Sequence, residues 1–296
     1  MLNKAKLKTR APGKINLYLD VLNKREDGYH NIKSVMQSVS LCDTVYLDVS
    51  EDKTLNDNAI EITCSEPTIK CDSSNLVYKA TMAFIKKCGI TCTNFKFHID
   101  KNIPISAGMA GGSADAAAAI LLLNDAFSQP CSMQEMCELG VTVGADVPFC
   151  IAKGTCICEG IGEDISRLPS FAGINVVCAI DSSSVSTPRA FSLLDAKYGT
   201  DCTDSSDMMK LVEAICEKDI WSVCSFLYNK FESVIIPENE NITLIKSVLT
   251  ENGAISALMS GSGPSVFGIF ANENDAEKAK TALLKQNIRA YCCKTV

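Results

Sequence analysis

From Pro104 to Ala119 the chain reads PISAGMAGGSADAAAA, small residues and glycines running straight into an alanine tract. Glycines at 108, 111 and 112 can take backbone angles closed to other residues and let a partner come close to the main chain. The alanines are the strongest helix formers, so the spacing predicts a loop turning directly into a helix near Ser113, with Asp115 in its first turn. A helix start carries unpaired N–H groups and the positive end of a dipole, which together suit an anion. The same residues also suit a plain connector ahead of a buried helix, and both readings stay open. No Gly-Lys-Ser/Thr follows the glycines, so this is not a Walker A loop, and no G-x-G-x-x-G is present.

Around this segment the pattern is that of an α+β chain. Alternation over Ile15, Leu17, Leu19 and Val21 predicts a strand, followed by β-branched runs at Val35–Val49 and Ile60–Thr63. Asn75 is placed to cap a helix carrying Leu76, Val77, Ala80, Ala83 and Phe84 on one face, with Gly89 as its stop. Phe95–Ile99 returns to strand alternation, and Ser132 with Glu135 forms a capping box for another helix. In the second half Thr187 and Pro188 read as N-cap and first residue of a short helix. Further helices are expected at 207–217, 220–231 and 239–251. The end reads as strand 255–259, a Gly-rich turn, strand 265–270, helix 273–286 and strand 288–293. A soft domain boundary falls near residue 160, giving expected domains 1–160 and 161–296.

Composition narrows the function. Lysine and arginine total 28 against 35 acidic residues, a net charge of −7, which argues against gripping a nucleic-acid backbone as the main task. The charge is uneven: residues 1–33 hold eight basic and three acidic side chains, a local +5, leaving −12 for the remainder. The longest uninterrupted apolar run, Ala116–Leu123, is far short of a membrane span. The basic start MLNKAKLKTRAPGK has no apolar stretch behind it, so no secretion signal is expected and a cytoplasmic location is. Sixteen cysteines stand against two histidines, yet none has C-x-x-C spacing. They read mainly as small packing residues in a reducing compartment, with metal or redox work as the lesser alternative.

Three other segments carry candidate chemistry. In TRAPGKINLYLDV, Lys14 interrupts an apolar strand with Asn16 on the same face, as either an edge guard or a positioned cation. A following turn, Glu26 to Gly28, presents Tyr29 and His30 together. In LGVTVGADVPFC, Asp146 precedes what reads as an apolar strand, either capping a turn or held at the mouth of a core as a reactive carboxylate. In LMSGSGPSVFGIF, residues 260–264 resemble a hairpin turn or a small-anion nest. No G-x-S-x-G elbow and no HRD or DFG signature occurs, and two distant histidines argue against a hydrolase triad.

In this order and spacing, the four segments resemble the GHMP family of small-molecule kinases over nearly the whole chain. The resemblance implies a two-domain fold, with a ribosomal-protein-S5-like N-terminal domain and a ferredoxin-like C-terminal domain. It implies ATP and Mg²⁺ as cofactors and, through DGYH after the first strand, a cytidylylated methylerythritol as substrate. Lys14 and Asp146 match the family's catalytic pair. Asn75, Lys101, Pro104, Gly108, Ala110, Gly111, Gly112 and Ser113 match ATP-binding positions, and Ser113 also matches a contact to the metal, direct or through water. Asn16, Tyr29, His30, Thr187 and Phe191 match substrate positions, with Tyr29 and Phe191 sandwiching the cytosine and His30 on its edge. The departures are Gly13 where alanine is frequent, Ala110 for glycine and Ala114 for serine. The last removes the hydroxyl that a second metal contact would need. Alternatives within the resemblance are a homoserine or mevalonate type kinase, or a silent binding protein of the same fold. The sequence does not choose between a monomer and a homodimer.

Overall fold

The computed structural model describes all residues except 1–4, 53, 55–56, 106, 182–185 and 200–206. The chain divides into two compact units that interleave along the sequence. Unit 1 takes residues 1–13, 42–105 and 110–152; unit 2 takes 14–41, 106–109 and 153–296. Division at residue 160 treats the units as consecutive. The chain instead lends 14–41 and 106–109 to the second unit, because two long strands, β1 (Ala5–Lys24) and β2 (His30–Glu51), each contribute a segment to both.

In unit 1, β3 (Ala59–Cys64) pairs parallel with β4 (Thr93–Asp100), and β4 pairs antiparallel with the second half of β2, Thr44 facing Asp100. Helices α1 (Leu76–Cys88), α2 (Gly111–Ala126), α3 (Met133–Val141) and α4 (Val147–Ala152) complete it. The caps fall where the sequence places them. Asn75 accepts from Val77 N–H, Gly89 ends α1 in the left-handed region at φ 65°, and Ser132 and Glu135 form both halves of a capping box. α2 is buried from Ala114 to Ile120 and again at Leu122–Asn124, as expected of a helix apolar on nearly every side.

Asp146 is followed by helix α4, not by a strand. Val147–Ala152 is buried throughout, and a short apolar run of that kind has no period with which to tell strand from helix. Pro148 fits because a first-turn proline gives up no helical hydrogen bond.

In unit 2, the second part of β1 pairs parallel with β8 (Tyr228–Asn229), while β2 pairs with β5 (Thr155–Glu159) and β5 with β6 (Asp164–Arg167). A separate antiparallel sheet has the order β11-β7-β10-β9, from β7 (Asn175–Ile180), β9 (Ser256–Met259), β10 (Ser265–Phe270) and β11 (Arg289–Lys294). With α10 (Glu273–Lys285) between the last two strands, this is the ferredoxin-like arrangement. Its apolar core includes Val177, Ala190, Leu249, Val266, Phe270 and Leu283.

Two sequence readings shift here. α5 spans Thr187–Tyr198 and is capped by Ser186, whose hydroxyl accepts from Arg189 N–H, so Thr187 is the first helical residue and not the cap. The expected helix 220–231 breaks into α7 (Ile220–Ser225) and the two-residue β8. The remaining helices are α6 (Met208–Glu217), α8 (Glu232–Ile235) and α9 (Glu240–Glu251).

Candidate active site

Lys14 lies in the buried middle of β1 at 4% exposure, so it guards no edge. Its ammonium donates to Asn16 Oδ1 at 2.7 Å, Asn16 donates to Ser34 Oγ at 2.9 Å, and Ser34 donates to the Tyr18 carbonyl at 2.7 Å. The relay runs from β1 to β2 and back, fixing the lysine head without supplying a negative charge. The Lys14 N–H also donates to the Met109 carbonyl at 3.1 Å, which ties the glycine loop to β1 inside unit 2.

Gly108 stands at φ 67°, and a Cβ there would lie 2.5 Å from the Ser260 carbonyl oxygen, so only glycine fits. The Ser260 hydroxyl donates to the Gly108 carbonyl at 3.3 Å. The Ser260–Gly263 turn is gripped in its turn by Asn229, whose amide donates to the carbonyls of Met259 (2.7 Å) and Gly261 (2.9 Å).

In unit 1, α2 starts from Ala110 in the left-handed region, at φ 57° and ψ 31°, with no side chain capping the helix. A non-glycine residue there costs of order 1 kcal/mol and recurs at functional sites. The first-turn N–H groups of Gly111, Gly112 and Ser113 are thus left to a ligand. Gly112 is exposed, and Pro104 is buried. Gly144 faces the Ser113 hydroxyl, since a Cβ on Gly144 would sit 3.9 Å from Ser113 Oγ. That brings Ser113 close to the loop holding Asp146, whose carbonyl accepts Cys150 N–H at 3.1 Å and whose carboxylate makes no hydrogen bond among the described residues.

Lys101 is placed otherwise than a phosphate ligand. Its side chain is 6% exposed and lies between the carboxylates of Asp43 and Asp115, the latter at 2.7 Å. Asp43 also accepts the N–H groups of Asn102 and Ile103. Two carboxylates share one ammonium, and Asp115 Oδ1 is buried without a partner among the described residues. Burial, with the charge of Asp43 adding to it, pushes the Asp115 carboxyl up to about 7, against the pull of Lys101. The triad anchors α2 beside its first turn. Asn75 is likewise committed, with its amide on the Lys70 carbonyl at 2.8 Å.

The proposed substrate residues gather only in part. His30 stacks on Phe191, ring centroids 4.5 Å apart and planes at 17°, and Phe191 meets Phe231 edge-on at 5.0 Å. Tyr29 is 60% exposed after the Asp27–Gly28 turn and makes no ring contact with that stack among the described residues. One face of Phe191 is therefore covered by His30, not by Tyr29 or an open slot. The Thr187 hydroxyl is 2.9 Å from that of Ser262 in the Gly-rich turn. Sequence reasoning missed Asp195, which holds both Lys24 and His30, and Asn229; a lone Asp on a helix or an Asn in a two-residue strand has no local pattern to betray it.

Residues 75–154 match the family described as GHMP kinases N terminal domain, and residues 211–289 match GHMP kinases C terminal. The 4-diphosphocytidyl-2-C-methyl-D-erythritol kinase of Caldicellulosiruptor saccharolyticus is 39% identical over 287 residues, covering 96% of each chain. The chain belongs to the GHMP kinase family. The protein of the same name from Clostridium tetani is 37% identical over 290 residues, covering 98% of this chain and all of its own. A crystal structure of 4-(cytidine 5'-diphospho)-2C-methyl-D-erythritol kinase superposes with a TM-score of 0.79 at 25% identity, covering 98% of this chain and 99% of the other. Homoserine kinase from Cytophaga hutchinsonii shares the fold, with a TM-score of 0.77 at 17% identity over 98% of this chain and 94% of its own. This GHMP kinase is thus similar over nearly its whole length to proteins named 4-diphosphocytidyl-2-C-methyl-D-erythritol kinase, and like its family it uses ATP as phosphate donor. No helix among the described residues is long and apolar enough to cross a membrane.

Proposed function

We propose that this kinase transfers the γ-phosphoryl group of ATP to the 2-hydroxyl of 4-diphosphocytidyl-2-C-methyl-D-erythritol, a step toward isoprenoid precursors outside the mevalonate route. The observation that carries the assignment is Lys14, a buried ammonium whose hydrogen-bond partner within its unit is a neutral amide. A buried cation is costly without an anion, and phosphoryl transfer supplies one as charge spreads over the transferring group and the acceptor oxygen. Asp146 is assigned as the base that accepts the hydroxyl proton, a role supported by its uncommitted carboxylate. Lys14 steadies the charge that develops as that proton leaves. Positioning and electrostatics account for most of such catalysis, so two such groups suffice.

For ATP we assign Gly108, Ala110, Gly111, Gly112 and Ser113, supported by the uncapped start of α2, together with Pro104 and, near the adenine, Asn75. Lys101 contributes by holding α2 through Asp115. The residues present fit Mg²⁺: Ser113 offers a hydroxyl with no hydrogen bond among the described residues, and no cluster of three or more His, Cys, Asp or Glu forms a metal cage among them. A hard cation that keeps waters and takes phosphate oxygens asks for little more from the protein. When bound, Mg²⁺ neutralises phosphate charge; Ser113 would hold it.

The test is ADP release with the cytidylylated alcohol, the uncytidylylated alcohol and homoserine as acceptors. Turnover is expected with the first alone, and turnover with homoserine instead would overturn the reading. Asp146→Asn should lower kcat by about 10²–10⁴-fold while ATP still binds in a direct titration. Near-normal kcat in that variant would remove the base assignment.

A further inference from the structure

We propose that Asp195 is a specificity-setting positioning residue: it holds the proton of His30 on Nε2 and so makes Nδ1 an acceptor for the exocyclic amino group of the substrate's pyrimidine. This rests on the cytidylylated substrate proposed above, with His30 at the edge of its base as the resemblance implies, and adds the carboxylate that sets the histidine's tautomer.

Four observations converge on it. His30 Nε2 lies 2.7 Å from Asp195 Oδ1, in a residue only 8% exposed. Lys24 Nζ donates to the other carboxylate oxygen, Oδ2, also at 2.7 Å. Phe191 and Asp195 are four residues apart on α5, so one helix face carries both the ring stacked on His30 and the carboxylate that binds its nitrogen. His30 makes no other hydrogen bond among the described residues, and Nδ1 is not sealed from solvent. The imidazole is thus fixed in its plane by Phe191 and about its axis by Asp195, with one nitrogen left for a ligand.

The chemistry of that nitrogen follows. Burial pushes the Asp195 carboxyl up, but hydrogen bonds from Lys24 and His30, with their charges, more than offset it and hold it below the ordinary carboxylate range. An ionised carboxylate only accepts, so Nε2 must donate. Lys24 already balances the charge of Asp195, so the pair does not require a charged imidazole beside it. A neutral ring protonated on Nε2 carries a lone pair on Nδ1. Cytosine offers an amino group at the position where uracil offers a carbonyl, so this lone pair attracts one base and repels the other. Leaving such a pair unmatched in a partly buried site costs on the order of 10-fold to 100-fold in binding.

A carboxylate that only locks α5 to β2 would affect stability and no more, and the experiment separates the two roles. Two histidines, His30 and His98, make nitrogen-15 histidine spectra simple, and His98→Gln assigns the signals. In the wild-type protein His30 should show its proton on Nε2; a proton on Nδ1 would overturn the proposal. The kinetic arm compares kcat/KM for the cytidylylated alcohol and its uridylylated counterpart. Asp195→Ala should cut the preference for cytidine about 10-fold or more, through KM for the cytidylylated substrate, leaving kcat and the KM for ATP within about 2-fold. Asp195→Asn keeps an acceptor oxygen for Nε2–H and should restore most of the preference, which a general packing defect would not allow. Full preference in Asp195→Ala sinks the proposal. Wild-type inactivity toward the cytidylylated alcohol is the separate result that removes the substrate reading and this inference with it.

Discussion

Lys14 donates to Asn16 at 2.7 Å, and within its own unit no carboxylate among the described residues forms an ion pair with it. A charge positioned by neutral dipoles is kept for a ligand, at the expense of the resting protein. Lys14→Met should therefore lower kcat by about 10²–10³-fold without lowering the melting temperature. Steady-state ADP release and a thermal melt together check this; a fall of several degrees would show that the charge supports the fold.

Two glycines of the same loop should behave differently. Gly108 has φ 67° and no room against Ser260, so Gly108→Ala should cost roughly 1–3 kcal/mol in denaturant melts. At Gly112 a Cβ meets only Leu76 Cδ1, at ordinary contact distance of 3.5 Å. Gly112→Ala should leave stability unchanged or raise it by about 0.5–1 kcal/mol, as alanine does within helices, while raising the KM for ATP. A Gly112→Ala enzyme with wild-type KM for ATP would take the start of α2 out of phosphate binding.

Asp115 predicts a stability change with pH. Its native value near 7 lies above its ordinary 3.8, because it is buried, so the folded protein holds a proton that the unfolded chain has released between those limits. Stability from this group is complete below about pH 4 and declines as pH rises through 7. Asp115→Asn removes the titration, so from pH 5 to pH 8 the variant should gain on the wild type by on the order of a few kcal/mol in urea melts. A difference that stays constant with pH would contradict this.

The thiols should label in two classes. Burial, with a hydrogen bond to Cys131, pushes Cys88 up to about 11. Burial pushes Cys224 and Cys292 up to about 12, with Asp219 and Glu277 adding to the effect. Cys71 and Cys216 are exposed. Alkylation of the native protein at pH 7, read by mass spectrometry, should modify Cys71 and Cys216 first and leave 88, 224 and 292 for the unfolded chain, since the thiolate is the reactive form.

What could be read in advance was local. Asn75, Gly89, Ser132 and Glu135 act over three or four residues, and each cap lies where its neighbours put it. The Lys14–Asn16 pairing was legible because two residues apart on a strand share a face. Asp195 holding His30 across 165 positions, or Asn229 reaching the turn at 261, depends on packing that no window of sequence contains. The strand expected after Asp146 failed for a related reason: six buried apolar residues carry no periodicity. Lys101 shows the same limit for sites, since the resemblance puts it beside the ATP loop but no window of sequence shows that Asp43, 58 residues away, holds its ammonium.

The interleaving of the two units imposes an order on synthesis. Unit 1 has all its residues once position 152 has been made, and it can close as soon as they leave the ribosome. Unit 2 cannot: residues 14–41, carrying Lys14, Asn16 and His30, are translated early, yet Asp195, the Asn229 clamp and β11 come up to 280 residues later. Because chains fold from the N-terminus as they emerge, those early strand segments spend most of translation without their final neighbours. His30, which waits for Asp195, is thus among the first residues made and among the last to be fastened, whereas Lys14 and Asn16 meet Ser34 within the same early stretch.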